Sequence, residues 1–131
     1  MRSLEAIRVL LVEDDDDSRE MTRLALEAAG AQVTAAASAE EALRAIAVQV
    51  PHVVLSDITM PGQDGRTLLR NLRAVFKKRR ARVPAVALTA LGSREDRVAS
   101  RDAGFHYHLD KPVDPGKLVE ILSGVVRLTR G

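Results

Sequence analysis

The sequence predicts an α/β fold, a parallel sheet with helices on both faces. Short apolar runs alternate with segments of helical periodicity five times along the 131 residues, and this alternation favours a parallel sheet connected by helices. Four of the apolar runs are also followed by polar or charged residues, at the positions where open α/β sheets bind ligands. The length is that of one domain, and the chain contains no internal repeat or low-complexity tract.

The strands are predicted from apolar runs bounded by turn residues. The first strand covers residues 7–12, the second 32–36, the fourth 84–88 and the fifth 106–109. The third begins after Pro51 and ends at Asp57, because proline breaks the element that precedes it.

The helices are bounded by capping residues. Three aspartates at residues 15–17 open the first helix and Gly30 ends it, whereas Ser38 and Glu41 form a capping box for the second. The third helix is predicted at residues 64–76, and Asp114 and Pro115 suit the start of the fifth. The positions expected to face the core are Met21, Leu24, Ala25 and Ala28 in the first helix, Ala39, Ala42, Leu43 and Ile46 in the second, Leu68, Leu69, Leu72 and Phe76 in the third, and Leu118, Ile121, Leu122 and Val125 in the fifth.

The fourth helix, predicted at residues 94–103, differs from the others in its thin apolar face. That face consists of Val98, Ala99 and Ala103. Few apolar contacts predict a weakly anchored helix, which suits an element that has to move.

The composition excludes several kinds of chemistry. The chain has no cysteine, which excludes disulfides, thiolate catalysis and cysteine-based zinc sites. Its apolar runs have the length of strands, and the N-terminus lacks a charged-then-apolar signal region. We therefore expect a cytoplasmic domain with no membrane partner.

Charge is unevenly distributed, although the net charge is only +2. Acids crowd residues 13–17, and bases crowd residues 77–80 and position 82. A basic run of this kind is one way to bind nucleic acid, but aromatic residues make up only 2% of the chain, which leaves no platform for stacking bases. Because cations favour helix C-termini, we interpret the run as a solvated helix end and expect no nucleic-acid partner.

Polar residues at four strand ends form one candidate site. Glu13 and Asp14 follow the first strand, Asp57 ends the third, Thr89 follows the fourth and Lys111 follows the fifth. Carboxylates held together raise one another's pKa unless a cation neutralises them. Ligands that are all oxygen favour Mg²⁺ over zinc. The set therefore predicts a site for a hard cation and a phosphoryl group.

These residues resemble a known family. The pattern formed by Glu13-Asp14, Asp57, Met60-Pro61, Asp64-Gly65, Thr89-Ala90 and Lys111-Pro112 is similar to that of the receiver domains of two-component response regulators. We expect a receiver domain at residues 7–129, preceded by a lead-in or linker at residues 1–6. The resemblance implies a flavodoxin-like (βα)5 doubly wound sheet with strand order 2-1-3-4-5, in which the acids of the first and third strands meet.

The resemblance also implies a phosphorylation site and a metal site. Asp57 is the implied nucleophile, which becomes an aspartyl phosphate. Asp14 and Asp57 are the implied direct ligands of Mg²⁺, Glu13 acts through water, and the backbone carbonyl of Thr59 supplies a further ligand. Lys111 is expected to contact a phosphoryl oxygen.

Thr89 and His108 are the implied switch residues. The hydroxyl of Thr89 is expected to bind the phosphoryl group and to change the face made by the fourth helix, the last strand and the fifth helix. His108 stands where receivers most often carry an aromatic residue, and histidine titrates at about pH 6.5. We therefore predict a pH-sensitive switch, and a His108 that stays exposed and uncoupled is the alternative. His106 and His108 are interpreted as surface residues, and Tyr107 as packed beside Leu109.

The implied function is that of a phosphoacceptor. The domain takes a phosphoryl group from a histidine kinase or phosphotransfer domain and signals to an effector, as a switch rather than a turnover enzyme. A phosphohydrolase with an aspartyl nucleophile is one alternative, but it would need an acid where Thr59 stands. A degenerate receiver that only binds proteins is another. Residues 4–8 and 103–113 resemble receivers attached to hybrid histidine kinases.

Overall fold

The computed structural model describes residues 3–60, 63–89, 98, 101 and 104–130. In this part of the chain, five parallel strands form one sheet, namely β1 (Arg8–Val12), β2 (Gln32–Ala36), β3 (Val53–Asp57), β6 (Ala85–Thr89) and β7 (Tyr107–Asp110). Their order across the sheet is β2-β1-β3-β6-β7. Counted over these five strands alone, this is the predicted order 2-1-3-4-5, so the predicted fold class is confirmed.

A short antiparallel hairpin follows β3 and was not predicted. Its strands are β4 (Thr59–Met60) and β5 (Gln63–Asp64), and Thr59 is paired with Asp64. Strands of two residues are too short to produce a periodic signal in the sequence. The hairpin leads the chain from the edge of the sheet into the next helix.

Helices connect the sheet strands, and their starts follow the predicted caps. They are α1 (Asp16–Ala28), α2 (Ala39–Val48), α3 (Gly65–Lys78) and a C-terminal helix (Pro115–Arg130). Asp15 accepts a hydrogen bond from the backbone N–H of Ser18, and Asp114 accepts one from that of Lys117. The predicted helix at residues 94–103 lies outside the described residues, except for Val98 and Arg101, which are helical.

The sheet separates two apolar cores. Leu10 and Val12 of β1 belong to the core that includes Leu72 of α3. Val9 and Leu11 belong to the other core, which includes Leu122 of the C-terminal helix. Because successive residues of a strand point to opposite faces, this division shows that both faces are covered. On the buried central strands β1, β3 and β6, polar groups are therefore left to the strand ends.

The prediction for the inward face of α1 was wrong. Met21 is 72% exposed and Leu24 is 54% exposed, whereas Leu26 is fully buried. Arg19 lies on the same face as Leu26, and its guanidinium bonds to the backbone carbonyl of Glu13. This contact with the end of β1 fixes the rotation of the helix, which leaves the stripe of Met21 and Leu24 in solvent.

Two predictions about β7 were also wrong. Tyr107 is 47% exposed rather than packed beside Leu109, because β7 is an edge strand and Tyr107 is its first residue. His108 is half-buried rather than on the surface, with its ring centroid 6.5 Å from that of Phe105. His106 is exposed as predicted.

The basic run lies at the end of α3, as predicted. Lys77 and Lys78 occupy the last turn of the helix, and the turn that follows is closed by a bond from the Ala81 N–H to the Phe76 carbonyl. Cations there complement the negative end of the helix dipole. Among the described residues, no helix is both long and apolar enough to cross a membrane.

The residues before β1 pack against the rest of the domain. Leu4 is fully buried in the core under α1 and the C-terminal helix. The N–H groups of Leu4 and Ala6 donate to the carbonyls of Ala29 and Gly30. Gly30 has a φ of +98°, and a Cβ there would lie 2.9 Å from the Cα of Glu5. The predicted helix-ending glycine therefore also admits the N-terminal segment.

Candidate functional site

Three carboxylates meet at the carboxyl end of the sheet. Glu13 and Asp14 follow β1, and Asp57 is the last residue of β3, which pairs with β1. One carboxylate oxygen from each residue lies within 4.8 Å of the oxygens of the other two. Glu13 and Asp57 are buried, and Asp14 is half-buried. The structure thus brings together the three acids singled out in the sequence.

Lys111 joins this acidic cluster from the end of β7. Its Nζ lies 2.6 Å from Oε2 of Glu13 and 3.1 Å from Oδ2 of Asp57. The backbone N–H of Lys111 donates to the carbonyl of Thr89 at 2.7 Å, and the peptide bond to Pro112 is cis. One ammonium therefore contacts two of the three acids, from a position fixed against the end of β6.

The charges of the cluster are only partly balanced. Burial raises the pKa of Glu13, and the charge of Asp57 adds to this effect, although the hydrogen bonds from Lys111 and the Asp15 N–H oppose it. Burial alone would lower the pKa of Lys111, but its bonds to Glu13 and Asp57 outweigh burial and raise it. Three carboxylates against one ammonium leave room for a second cation.

Thr89 is the last residue of β6 and lies one position beyond the residue that pairs with Asp57. It is 2% exposed. Its hydroxyl oxygen is buried and has no hydrogen-bond partner within the described part of the chain. A buried hydroxyl without a partner loses the bonds that it would make to water. The hydroxyl of Thr89 is therefore suited to bond an acceptor oxygen that enters beside it.

Arg19 supports the acidic cluster through bonds to its backbone, and this residue was not predicted from the sequence. Its Nη1 donates to the backbone carbonyls of Glu13 at 2.9 Å and of Asp14 at 3.5 Å, and its Nη2 pairs with Asp16 at 2.6 Å. These bonds hold the backbone of the acid pair. One signal was available in the sequence. An arginine in the early turns of a helix is disfavoured by the helix dipole, which indicates that Arg19 has a specific partner there.

An apolar groove opens beside the cluster, between α1 and the start of the C-terminal helix. It has a volume of about 470 Å³, and Glu13 and Lys111 form part of its wall. Met21, Ala25 and Leu118 supply apolar wall. The outward rotation of α1 places Met21 on this groove, so one of the residues predicted to be core instead borders the site.

Thr59 and His108, the other two predicted site residues, lie on different strands. Thr59 lies in β4, two residues after Asp57, and its backbone carbonyl as a metal ligand stays a prediction. His108 lies in β7, where it is paired with Ala87 of β6. It is therefore set back from the strand ends that carry Thr89 and Lys111.

The donor set fits a hard divalent cation. All the side-chain donors are carboxylate oxygens, which Mg²⁺ prefers, and no nitrogen or sulfur ligand joins them in the described part of the chain. Lys111 and the hydroxyl of Thr89 are suited to bind oxygens of a phosphoryl group. The geometry therefore combines a buried carboxylate, a group of acids that could hold a cation, and two polar groups suited to an anionic substrate group.

Curated relatives are similar to this chain over most of its length. An uncharacterised 14.6 kDa protein of Leptolyngbya boryana is 40% identical over 122 residues, which are 93% of this chain and 92% of that protein. The transcriptional regulatory protein CseB of Streptomyces avermitilis is 37% identical over 94% of this chain. The alignment covers 50% of CseB, so this chain spans half the length of that relative.

This chain is also similar to solved structures and to the sequence pattern of a protein family. The chemotaxis protein CheY4 of Vibrio cholerae superposes with a TM-score of 0.85 at 29% identity, over 92% of this chain and 98% of that one. A CheY-like receiver domain protein of Methanospirillum hungatei gives 0.86 at 28% identity, over 96% and 98% of the two chains. The sequence pattern of the response regulator receiver domain matches residues 9–123. The chain therefore belongs to the response regulator receiver domain family.

Proposed function

We propose that this domain is a phosphorylation-dependent switch whose Asp57 accepts a phosphoryl group from a histidine kinase or phosphotransfer domain. The observation that supports it most is the position of Asp57: its carboxylate lies within 4.8 Å of those of Glu13 and Asp14 and 3.1 Å from the ammonium of Lys111. Phosphoryl transfer depends on positioning and on charge stabilisation. Asp57 can supply the attacking oxygen, while a cation bound by the neighbouring acids and the ammonium of Lys111 can stabilise the charge.

The proposed reaction is a single displacement at phosphorus. A carboxylate oxygen of Asp57 attacks in line, the bond between phosphorus and the donor imidazole nitrogen breaks, and the nitrogen keeps that electron pair. The leaving imidazole is protonated by solvent, and Asp57 becomes an aspartyl phosphate. The domain consumes its own nucleophile in this step, so it acts as a switch and catalyses only its own phosphorylation and dephosphorylation.

We assign Mg²⁺ as the cofactor. Asp14 and Asp57 are its proposed direct ligands, Glu13 binds through water, and the carbonyl of Thr59 completes the protein contribution. When bound, Mg²⁺ supplies positive charge that offsets the carboxylates and the phosphoryl oxygens. Lys111 is already within hydrogen-bond distance of Asp57, so its ammonium can pass to a phosphoryl oxygen with a small displacement.

Thr89 supplies the proposed switch. Its unpartnered hydroxyl can donate to the phosphoryl group on Asp57, which provides the difference in contacts that a two-state equilibrium needs. The response is expected on the face predicted from the sequence for the fourth helix, the last strand and the fifth helix, of which β7 and the C-terminal helix are described. An effector protein or domain is the proposed partner on that face, and neither nucleic acid nor membrane is.

The groove beside Lys111 is the proposed docking place for the phosphodonor. A protein donor has to bring its phosphohistidine to Asp57, and this apolar groove shares Glu13 and Lys111 with the acidic cluster. The exposed Met21 at its rim is suited to contact an apolar helix of the donor.

We also propose a cytoplasmic location, where a histidine kinase or phosphotransfer domain would act as the donor. We assign residues 7–129 to the receiver domain and residues 1–6 to its lead-in.

Intact mass after incubation with acetyl phosphate and Mg²⁺ tests the proposal. We expect the gain of one phosphoryl group in the unaltered chain and none in Asp57→Asn. Asp14→Ala should abolish Mg²⁺ binding and labelling together, and Glu13→Ala should reduce them less. Labelling that persists in Asp57→Asn would move the acceptor to another residue. An unaltered chain that binds no Mg²⁺ and gains no mass would favour the degenerate receiver.

The donor groove needs a separate test. Met21→Asp should slow phosphorylation by a purified phosphorylated histidine phosphotransfer domain about tenfold, with no change in the rate with acetyl phosphate. Val48→Asp is the matched control, since Val48 is an exposed apolar residue on α2 and does not line the groove. Equal slowing by both substitutions would exclude the groove as the docking place.

A phosphohydrolase with an aspartyl nucleophile is the remaining alternative. It would turn over many molecules of an ordinary phosphate monoester, whereas a receiver should leave such esters intact. The side chain two positions after Asp57 is that of Thr59, so no carboxylate stands there to protonate a leaving alcohol. Release of phosphate from p-nitrophenyl phosphate, lost in Asp57→Asn, would support the hydrolase instead.

A further inference from the structure

A second cleft lies at the end of the sheet opposite Asp57. The end of α3, the segment before β6, the start of β7 and the end of the C-terminal helix form its walls, and its volume is about 390 Å³. β6 runs from the cleft to the acidic cluster, a distance of about 13 Å for its five residues. We call it the basal cleft; its polar lining residues are Arg73, Lys77, Arg82, His106 and Thr129.

Among the described residues, the positive charge of the basal cleft has no acidic partner. Arg73, Lys77 and Arg82 are cations at neutral pH, and none of the residues that line the cleft is an acid. In the part of the chain that the structure describes, no ion pair joins these three side chains to a carboxylate. Like charges held close together favour an anion between them.

Arg73 is held rigidly at the inner wall. Its Nη2 donates to the carbonyl of Gly104, and the guanidinium packs so closely on Gly104 that a Cβ there would lie 2.2 Å from Nε. Gly104 has a φ of +114°, a conformation that glycine adopts without strain. Burial lowers the pKa of Arg73. A guanidinium that is fixed and partly desolvated loses little conformational freedom when it binds an anion.

His106 is a second lining residue of the cleft that is held in place. Its Nδ1 accepts a hydrogen bond from the backbone N–H of Ala85 at 3.2 Å, and the backbone N–H of His106 donates to the Ala85 carbonyl at 2.8 Å. With Nδ1 as an acceptor, the proton of the neutral ring lies on Nε2. Burial lowers the pKa of His106, and the charge of Arg73 lowers it further. The ring therefore lies within the electrostatic field of Arg73.

We propose that the basal cleft binds a small organic phosphate that carries two or more phosphoryl groups. Three cations exceed what one phosphate can neutralise, and guanidinium groups match phosphate oxygens in geometry. The volume falls in the range of small-molecule sites and exceeds that of a single phosphate. Phe76 and Val83 also line the cleft, so an organic group has apolar surface to contact. This site is separate from the phosphoacceptor proposed above.

Calorimetry in metal-free buffer at low ionic strength tests this inference, with Asp57→Asn as the parent protein to keep the phosphoacceptor silent. We expect pyrophosphate and ADP each to bind at one site, and inorganic phosphate to bind about tenfold more weakly. Lys77→Ala and Arg82→Ala should each weaken pyrophosphate binding about tenfold. Both residues are exposed, so the fold should persist, which an unchanged Tm would verify.

Lys78→Ala is the matched control. Lys78 is the next residue of the same helix end and is also exposed, but it does not line the cleft. We expect the affinity of Lys78→Ala for pyrophosphate to stay within about twofold of that of the parent protein. Equal weakening by Lys77→Ala and Lys78→Ala would indicate a diffuse basic surface and overturn the proposal. So would the absence of saturable pyrophosphate binding.

NMR amide shifts distinguish the location and the kind of ligand. Pyrophosphate should perturb residues around Lys77, Arg82 and His106, and shifts centred on Glu13 and Lys111 would contradict the proposal. ADP that binds at least as tightly as pyrophosphate supports a site for an organic phosphate. Random duplex DNA is the competing ligand. If DNA displaces pyrophosphate, and if Lys77→Ala and Lys78→Ala weaken DNA binding equally, the basic residues form a nucleic-acid surface and the proposed phosphate site is wrong.

Discussion

Lys111 Nζ lies 2.6 Å from Oε2 of Glu13, although the two residues are 98 positions apart in the sequence. The same ammonium lies 3.1 Å from Oδ2 of Asp57. It therefore bridges the ends of β1 and β3, which carry the acids of the site. An ammonium and a metal cation are alternative partners for these carboxylates, since both stabilise the same negative charge. Lys111 accordingly has two proposed roles, as a partner of Glu13 and as a ligand of the phosphoryl group.

Lys111→Met separates these roles. We expect phosphorylation of Asp57 by acetyl phosphate to slow about tenfold or more, because a donor to the developing charge is lost. Mg²⁺ affinity should rise severalfold, because the competing ammonium is gone. Stopped-flow measurement of phosphorylation and a Mg²⁺ titration check the two effects. Lys117→Met, on the exposed first turn of the C-terminal helix, should change neither. Weaker Mg²⁺ binding in Lys111→Met would contradict the competition.

Glu13→Gln tests the effect of burial on the cluster. The pKa of Glu13 is raised by burial despite its bond to Lys111, so protonation of this carboxylate is more favourable in the folded protein than in the unfolded chain. The stability that this provides is present below the unfolded pKa and is lost as the pH rises through the folded pKa. Glutamine stays neutral and avoids that loss. In EDTA at pH 7, scanning calorimetry should therefore give Glu13→Gln a higher Tm than the unaltered chain.

The difference in Tm should disappear as the pH falls below the ordinary range of a glutamate, where Glu13 is protonated in both folded and unfolded chains. Glu40→Gln, on the exposed side of α2, should show no such trend. A lower Tm for Glu13→Gln at pH 7 would mean that the bond to Lys111 outweighs the cost of burying the carboxylate.

Thr89→Val tests the unpartnered hydroxyl. Valine keeps the shape of threonine and removes a buried oxygen that has no partner among the described residues. We expect the free energy of unfolding to rise by about 1 kcal/mol, measured by urea denaturation. Phosphorylation of Asp57 should persist, but the phosphoryl group should no longer perturb NMR signals of β7. A loss of stability would show that the hydroxyl already has a partner.

The sequence predicted those features that depend on local pattern. Apolar runs located the strands, and Asp15, Ser38 and Asp114 marked the starts of three helices because a capping side chain acts within one turn. The resemblance to receivers supplied the strand order, which placed Asp57 beside the acids after β1. These are short-range signals or consequences of topology, so they can be found without knowing any tertiary contact.

The features that were missed depend on contacts between distant residues. The rotation of α1 is fixed where Arg19 reaches the end of β1, so the apolar periodicity of the helix alone selected the wrong face. The bond between Lys111 and Glu13 and the packing of Arg73 on Gly104 join segments far apart in the chain. Neither follows from residue type, because many lysines and arginines stay in solvent.

Leu4→Ala tests whether the segment assigned as a lead-in contributes to the domain. Leu4 is fully buried beside the residues of the C-terminal helix. Truncating a buried leucine removes apolar contacts and leaves a cavity, at a cost of about 2–5 kcal/mol. Urea denaturation should show that loss, and Ser3→Ala, at an exposed neighbour, should show none. A loss well below this range would mean that the receiver domain is stable without its lead-in.

His108 carries the last prediction, a switch that responds to pH. It is half-buried, and its ring is tilted by 57° against that of Phe105. Phosphorylation that draws this ring toward Thr89 brings it near a phosphate with almost two negative charges, which favours the imidazolium. The pKa of His108 should then be higher in the activated state. By linkage, lower pH stabilises the activated state, and the effect is lost above the raised pKa.

NMR titration of the histidine rings, with and without beryllofluoride and Mg²⁺, measures this shift directly. His52 is the internal control, because its Nδ1 accepts a hydrogen bond from the Arg8 N–H at 2.8 Å, at the start of β1 and thus at the end of the sheet opposite Asp57. A higher pKa for His108 alone in beryllofluoride would support the coupling. Equal pKa values in the two states would show that the histidine does not take part in the switch. The response would then have to be transmitted by Thr89 without it.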